Sequence, residues 1–417
     1  MCKATSTDGT IVHAWFFEDE TAKDGKGALT TDGIENVASH KYKPGHYTFL
    51  DTLLNPFWTY ITDLLPMTMA PNVVTSIGGL HCLISYLVVW YYSPNFDQLV
   101  PDWVVAFAGF CTLAYYTFDC MDGKQARRTG NSSPLGQLFD HGVDCLSIIS
   151  HVSGTASYTM MGGSYWFFMM QSSLQLSFFM AQWEEYYTGI LPHAMGNFGV
   201  TEVNYGIGCF LLFNSLIDRE KFWLSKLKDA LPESIAENPN FPDVLANFEV
   251  RHFGLTLWFT SIAVLIVGCI VRVLLHENVK KNGVYFSAIS KLFSPILISV
   301  APFLLPESIL FKETRYISIS SGLLYCLLTK KIIVFSMAKM TYATFQLDIL
   351  PLCAAIAWIR LDGNITEEGV TLLLSVLSIW YVYRMLNWVS NAIHQICNRL
   401  NIKCFKIQKK DEKIKTK

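Results

Sequence analysis

Charged residues are scarce in this sequence. Lys, Arg, Asp and Glu together make up 16% of its 417 residues, whereas hydrophobic residues make up 51%. A soluble chain of this length would form two or more domains and would carry about 25% charged residues to cover their surfaces. The composition therefore excludes an ordinary soluble protein and predicts a polytopic membrane protein.

Three further features are missing. The formal net charge is only −2, so nothing indicates affinity for nucleic acid. The 11 cysteines form no CxxC pair and lie mostly in apolar runs, which favours small buried side chains over a disulfide framework or a metal site. The first 40 residues lack the apolar core of a signal peptide, so we expect an internal hydrophobic segment to direct membrane insertion.

The chain does contain a series of long apolar runs. Crossing the hydrocarbon core as a helix takes about 20 apolar residues, and the runs predict an all-α transmembrane bundle of about ten helices at residues 45–400. A polar cytosolic segment (1–44) is expected before the bundle and a basic cytosolic tail (401–417) after it. The expected spans are 73–92, 102–119, 138–160, 164–183, 202–218, 253–275, 284–305, 316–338, 345–360 and 369–393.

The orientation of the bundle is predicted from its basic tail. NIKCFKIQKKDEKIKTK carries seven Lys against one Asp and one Glu, and such excess positive charge marks the cytosolic side. An even number of spans places the N-terminus on the same side. The connection between the second and third spans should then face the cytosol as well.

One polar stretch, DCMDGKQARRTGNSSPLGQLFDHGVDC at residues 119–145, interrupts the apolar runs. Asp119 and Asp122 are three residues apart and Asp140 and Asp144 are four apart, so each pair shares one face of a helix. Two antiparallel helices would direct the four carboxylates at one another, and their repulsion would require a cation. Carboxylate ligands at this density suit Mg²⁺ or Mn²⁺.

Three other interpretations of this stretch are open. A merely solvated loop is disfavoured, because acids at a membrane are costly and usually functional. A divalent-cation transporter would hold its acids at mid-membrane, whereas these lie at a connection. A membrane prenyltransferase also pairs aspartate-rich helices around a metal diphosphate, although the glycine and arginine residues between these pairs speak against it.

The spacing DxxDGxxARx₈GxxxDxxxD resembles the motif of the CDP-alcohol phosphotransferases at all eight positions. These positions are Asp119, Asp122, Gly123, Ala126, Arg127, Gly136, Asp140 and Asp144. The flanking residues are similar to those of the eukaryotic choline/ethanolamine phosphotransferases. So are APNVVTSIGGL at 70–80, QWEEYYTGIL at 182–191 and VTEV at 200–203, so the resemblance covers most of the chain from about residue 45.

The resemblance implies the all-helical fold of this family. The implied reaction moves phosphoethanolamine or phosphocholine from CDP-ethanolamine or CDP-choline to 1,2-diacylglycerol, which releases CMP and forms phosphatidylethanolamine or phosphatidylcholine. Two ions of Mg²⁺ or Mn²⁺ are implied at Asp119, Asp122, Asp140 and Asp144. A homodimer is also implied, in the endoplasmic reticulum or the Golgi, with its active site facing the cytosol.

Further roles follow from the resemblance and from side-chain chemistry. His141 and Glu202 are expected to activate the diacylglycerol hydroxyl jointly, with Asp144 as the rival base. Lys330 and Lys331, expensive in a lipid-facing position, should reach either the carboxylates or the membrane interface. The residues expected to bind substrate are Asn72, Gly123, Lys124, Ala126, Arg127, Gly136 and Glu184.

Overall fold

The computed structural model describes residues 19, 27–41, 45–192, 194–195, 198–238, 241–362 and 364–408. Nearly all regular structure in these residues is helical, apart from a hairpin of two short strands, β1 (Ala194–Met195) and β2 (Phe198–Gly199). Two 3₁₀ turns cover Ala301–Leu304 and Leu347–Ile349. The α-helices are α1 (Thr31–Ser39), α2 (Phe49–Asp63), α3 (Pro71–Tyr92), α4 (Asp102–Arg128), α5 (Pro134–Tyr158), α6 (Tyr165–Thr188), α7 (Val200–Asn214), α8 (Arg219–Leu224), α9 (Leu227–Ala230), α10 (Glu233–Ala236), α11 (Asp243–Ala246), α12 (Val250–Leu275), α13 (Glu277–Asn282), α14 (Tyr285–Ser290), α15 (Phe293–Val300), α16 (Glu307–Lys312), α17 (Thr314–Ala338), α18 (Leu350–Leu361) and α19 (Glu367–Leu400).

Six helical segments among the described residues are long and apolar enough to cross a membrane. They are Pro71–Tyr92, Asp102–Arg128, Val250–Leu275, Tyr285–Leu304, Thr314–Ala338 and Glu367–Leu400. The other four expected spans are helical too, but α5 and α6 carry more polar residues and α7 and α18 are shorter. The predicted all-α membrane bundle is therefore confirmed.

A short connection between α4 and α5 sets up the site. The chain leaves α4 through Gly130, whose φ of 66° lies in the left-handed region that favours glycine. Asn131 stabilises this turn, since its Nδ2 donates to the carbonyl oxygen of Thr129 at 2.8 Å. Pro134 then occupies the first turn of α5, where its fixed φ suits a helix start. The connection therefore returns α5 beside α4 within five residues.

Close helix packing holds α4 between its neighbours. A Cβ atom added to Gly109 would lie 3.0 Å from the carbonyl oxygen of Gly208 on α7, which is nearer than such atoms normally approach. A Cβ added to Gly78 on α3 would lie 3.2 Å from the carbonyl oxygen of Tyr115 on α4. The small residues thus allow backbone to pack on backbone and fix the position of α4.

The centre of the bundle is α17. Nearly every residue of this helix is buried, and it packs against α5, α6 and α19. A helix that is buried on all sides occupies such a central position in a bundle. Because α5 packs directly on α17, the second half of the chain supports the helix that carries Asp140 and Asp144.

Both ends of the described chain pack near the α4–α5 connection. α1 packs against α17 and α19, and the side chain of Asn36 donates to the carbonyl oxygen of Ala338 at 2.9 Å. At the other end, Asn401 closes α19 in a left-handed conformation, which asparagine tolerates. Residues 402–408 then turn back toward the start of α3.

Candidate active site

The α4–α5 hairpin brings the four predicted carboxylates together. Asp119 interacts with both Asp140 and Asp144, and Asp122 interacts with Asp140. The hydroxyl of Tyr115 donates to Asp144 Oδ1 at 2.6 Å, and the hydroxyl of Thr75 donates to Asp122 Oδ2. The pair of acids on α4 therefore faces the pair on α5, as the spacing of the acids predicts.

Two of these carboxylates remain short of partners. The Oδ1 atoms of Asp119 and Asp140 are buried, and among the described residues no donor other than a neighbouring acid reaches them. Buried carboxylate oxygens without a donor are costly unless a cation neutralises them. Ligand atoms of Asp140, His141 and Asp144 lie within 4.8 Å of one another, which is close enough to share one metal ion. The residues present therefore fit a divalent cation bound by oxygen ligands.

His141 lies beside this centre. Its side chain is buried, and its Nε2 lies 3.8 Å from Asp140 Oδ2. That separation is longer than a hydrogen bond, so the imidazole is near the acid without being fixed to it by that atom. The same position suits either a metal ligand or a proton acceptor.

A polar cavity of about 250 Å³ opens on one side of the carboxylates. A Cβ atom added to Gly136 would meet no atom within 4 Å, so this glycine leaves room inside the cavity. Arg127 has an exposed side chain and contributes the positive charge of the motif. The predicted residues that line the cavity are Asn72, Asp122, Gly123, Ala126, Arg127, Gly136, Asp140 and His141.

A second cavity, of about 220 Å³, lies on the other side of the same carboxylates. Asp119 and Asp144 form part of its wall, and most of the remaining lining is apolar. That lining comes from α4, α5, α6, the β1–β2 hairpin, α7 and α12, and it includes Phe178, Val203 and Ile266. The carboxylates therefore separate a polar chamber from an apolar one.

Three predicted residues line neither cavity: Lys124, Glu202 and Glu184. The ammonium of Lys124 donates to Thr59 Oγ1 at 3.1 Å and to Asn55 Oδ1, so α2 holds this side chain. Glu202 lies in the first turn of α7, where its Oε2 accepts from the backbone N–H of Gly199 at 2.8 Å. This contact completes a capping arrangement at the start of α7.

Glu184 is paired within the protein. Its buried carboxylate accepts two hydrogen bonds from Arg272 on α12, from Nε at 2.7 Å and from Nη2 at 2.8 Å. Arg272 also lines the apolar cavity. The bidentate pair therefore joins α6 to α12 beside that cavity.

We expect Arg272→Met to destabilise the protein by about 3 kcal/mol, because it leaves the Glu184 carboxylate buried without a partner. The double variant Arg272→Met/Glu184→Gln should recover much of the loss, since no uncompensated charge remains. Thermal unfolding of the detergent-solubilised protein measures both effects. If Glu184→Gln alone instead weakened substrate binding at unchanged stability, the predicted substrate-binding role of Glu184 would be favoured.

The N-terminal region reaches the polar cavity through Gln137. His40 Nε2 lies 3.0 Å from Gln137 Oε1, and Gln137 Nε2 donates to Glu185 Oε1 at 3.0 Å. Burial lowers the pKa of His40, although the hydrogen bond with Gln137 opposes this shift. A neutral His40 therefore donates its Nε2 proton to Gln137, and the chain of contacts fixes one wall of the cavity.

Lys330 reaches the back of the carboxylate hairpin. Its ammonium lies 3.1 Å from Cys145 Sγ and 3.6 Å from Met385 Sδ, and its Cε lies beside Gly142. This placement puts a positive charge behind α5, next to Asp144. Lys330 therefore takes the expected position near the carboxylates, whereas Lys331 pairs with Asp348 at 2.8 Å and with Asp19 at 2.9 Å.

Sequence reasoning missed two residues that bind the carboxylates, Thr75 and Tyr115. Tyr115 precedes Asp119 by four residues and therefore shares its helix face, which is a signal that the sequence contains. Thr75 lies on another helix, α3, and its contact with Asp122 depends on tertiary packing alone.

These features define a membrane-embedded helical protein with a carboxylate centre between a polar and an apolar chamber. Residues 68–223 match the CDP-alcohol phosphatidyltransferase family. The chain is 33% identical over 406 residues to CDP-alcohol phosphatidyltransferase class-I family protein 3 of Dictyostelium discoideum, covering 92% of this chain and 99% of that protein. The chain belongs to the CDP-alcohol phosphatidyltransferase family.

Two other relatives have more specific names. Choline/ethanolaminephosphotransferase 2 of Arabidopsis thaliana is 28% identical over 399 residues, covering 92% of this chain and all of that protein. Ethanolaminephosphotransferase 1 of Mus musculus is 27% identical over 400 residues, covering 88% of this chain and 92% of that protein. The family resemblance predicted from the aspartate motif is therefore confirmed.

Proposed function

We propose that this protein transfers phosphoethanolamine or phosphocholine from a CDP-alcohol to 1,2-diacylglycerol, which releases CMP and forms the corresponding phospholipid. The observation that carries the proposal is the pair of chambers that meet at one carboxylate centre. One substrate is soluble and anionic, and the other is apolar. The polar chamber suits the anionic substrate and the apolar chamber suits the lipid.

The polar cavity is assigned to the CDP-alcohol. Arg127 is placed to contact its diphosphate, while Gly123, Ala126 and Gly136 leave space for the nucleotide. Asp119, Asp122, Asp140 and Asp144 would hold Mg²⁺ or Mn²⁺, two ions by the family resemblance. Such ions neutralise the charge on a transferring phosphoryl group.

The proton of the attacking hydroxyl needs an acceptor near the chamber boundary. His141 lines the polar cavity and Asp144 lines the apolar one, so both lie at this boundary. We propose His141 as the base and keep Asp144 as its rival. Glu202, predicted to share this role, caps α7 instead, which favours an indirect contribution through the position of that helix.

The apolar cavity is assigned to diacylglycerol. The sequence alone predicts a lipid site lined by spans five to ten, because it commits the first three spans to metal and nucleotide. The cavity instead takes its wall from α4, α5, α6, α7 and α12, which correspond to spans two to six. A hairpin can serve both substrates because its two faces open on opposite sides of the carboxylates.

We expect Ile266→Trp to raise KM for diacylglycerol about tenfold or more, because the larger ring fills the apolar cavity. KM for the CDP-alcohol should change little. Val264→Trp on the exposed side of the same helix is the matched control. Equal effects of both variants on the two KM values would contradict the lipid assignment.

The function itself is tested with purified protein in detergent or liposomes. Radiolabelled CDP-ethanolamine and CDP-choline are supplied side by side with diacylglycerol, and labelled phospholipid and CMP are measured. Formation of phospholipid with either donor supports the proposal. Movement of divalent cations into sealed liposomes without any CDP-alcohol turnover would instead favour a transporter.

We also propose that the active site faces the cytosol, in the endoplasmic reticulum or the Golgi, and that the protein is a homodimer. The basic tail and the family resemblance support these assignments. A variant whose only cysteine replaces Ser132 tests the orientation in sealed microsomes. An impermeant thiol reagent should label it from outside, and labelling only after the lumen is opened would overturn the assignment. Light scattering of the solubilised protein gives the oligomeric mass.

A further inference from the structure

The C-terminal segment 402–408 forms a wall of the polar cavity. Ile402, Lys403, Cys404, Lys406 and Gln408 all line it, opposite the motif residues of α4 and α5. These residues follow α19, the last helix, and are more than 250 positions away from the motif in sequence. The polar cavity is therefore built from the motif helices together with the segment that follows the last helix.

Three contacts tie this segment to the site. Asn72 Nδ2 donates to the carbonyl oxygen of Cys404 at 2.9 Å. The backbone N–H of Gln408 donates to Asn131 Oδ1 at 3.0 Å, in the connection between α4 and α5. The ring of Phe405 packs edge-on against Phe139, with ring centres 5.5 Å apart. The anchors lie on both sides of Lys406, so its backbone is held over the cavity.

The charges around the cavity give this wall a chemical role. Sequence reasoning assigned two motif cations, Lys124 and Arg127, to the anionic substrate, but α2 holds Lys124 outside the cavity. Arg127 is then the only motif cation that lines it among the described residues. Lys403 and Lys406 add two exposed ammonium groups, and neither forms an ion pair with a described acid.

We propose that Lys403 and Lys406 bind the diphosphate of the CDP-alcohol, so that the C-terminal segment completes the nucleotide site. This inference rests on the function proposed above and adds two substrate-binding residues to it. A diphosphate carries more negative charge than one arginine balances, and ammonium groups are strong donors to phosphate oxygens. Lys403 and Lys406 supply hydrogen-bond donors from the wall of the cavity opposite α4 and α5.

The test compares KM values of the full-length enzyme. Lys403→Gln/Lys406→Gln should raise KM for CDP-ethanolamine or CDP-choline about tenfold or more, and should weaken competitive inhibition by CDP to a similar extent. KM for diacylglycerol should stay unchanged. The charge-preserving variant Lys403→Arg/Lys406→Arg should restore most of the affinity. Lys221→Gln/Lys228→Gln removes the same charge from exposed positions outside the cavity and serves as the control.

A second variant ends the chain after Asn401 and removes the whole wall. It should raise KM for the CDP-alcohol at least as much as the double substitution. A lower KM would show that the segment competes with the nucleotide, and an unchanged KM in both variants would show that it plays no part; either result overturns the inference. If the wild-type protein forms no phospholipid, the proposed function itself is wrong. If it forms phospholipid but the variants keep the wild-type KM, only the role of the C-terminal segment is wrong.

Discussion

Asp119→Asn or Asp140→Asn should lower turnover at least about 1,000-fold while the protein still folds. Each substitution removes one of the proposed metal ligands, and a loss of this size corresponds to about 4 kcal/mol of transition-state stabilisation. Stability should hold or rise, because the buried Oδ1 atoms of both acids lack donors in the described structure and the change relieves repulsion between like charges. Initial rates and thermal unfolding of each variant measure the two effects.

The control is Asp97→Asn, which changes an exposed acid away from the site. It should leave turnover and stability close to those of the wild type. Removal of divalent ions with a chelator should reproduce the loss of turnover, and added Mg²⁺ or Mn²⁺ should reverse it. Full activity of the chelated wild type would show that the carboxylates do not act through a metal.

His141→Ala should lower kcat about 10²- to 10⁴-fold, which is the usual contribution of a general base. Binding of the CDP-alcohol, measured by calorimetry, should weaken far less. The reason is the position of His141, which lines the polar chamber and whose Nε2 lies 3.8 Å from Asp140 Oδ2.

The concentration of Mg²⁺ needed for half-maximal activity distinguishes a base from a metal ligand. If His141 is a base, its removal should leave this Mg²⁺ concentration nearly unchanged. If His141 is a metal ligand, its removal should raise this concentration strongly. Since ligand atoms of Asp140, His141 and Asp144 lie within 4.8 Å, the second outcome would assign His141 to the metal centre. His394→Ala is the control, because this exposed histidine lines neither cavity.

The membrane-spanning parts of the fold were predictable because apolar runs are a local property of the sequence. Helix α4 is longer than its apolar run predicts: it was expected to end at residue 119 but continues to Arg128. An apolar run stops at the first acid, whereas the helix continues, because its polar last turns face the cavity and the connection. Asp119, Asp122 and Arg127 therefore lie on one unbroken helix.

The carboxylate cluster was equally predictable, since the spacing of its acids fixes their helix faces. The rest of the site depends on contacts between distant segments, which no local pattern records. Spacing and composition do not predict that Lys124 donates to residues of α2. They also do not predict that residues 402–408 line the cavity. Glu184 illustrates the same point, because a buried acid gives no sign that its partner is Arg272, 88 positions away.

The apolar lining beyond Asp119 and Asp144 also bears on a competing reaction. Water is a far more abundant nucleophile than any lipid, and hydrolysis of a CDP-alcohol would waste an activated headgroup. A chamber lined by side chains such as Phe178, Val203 and Ile266 offers water few hydrogen-bond partners at the point from which the acceptor attacks. The apolar surface that we propose admits diacylglycerol would thus also protect the activated donor until a lipid acceptor arrives.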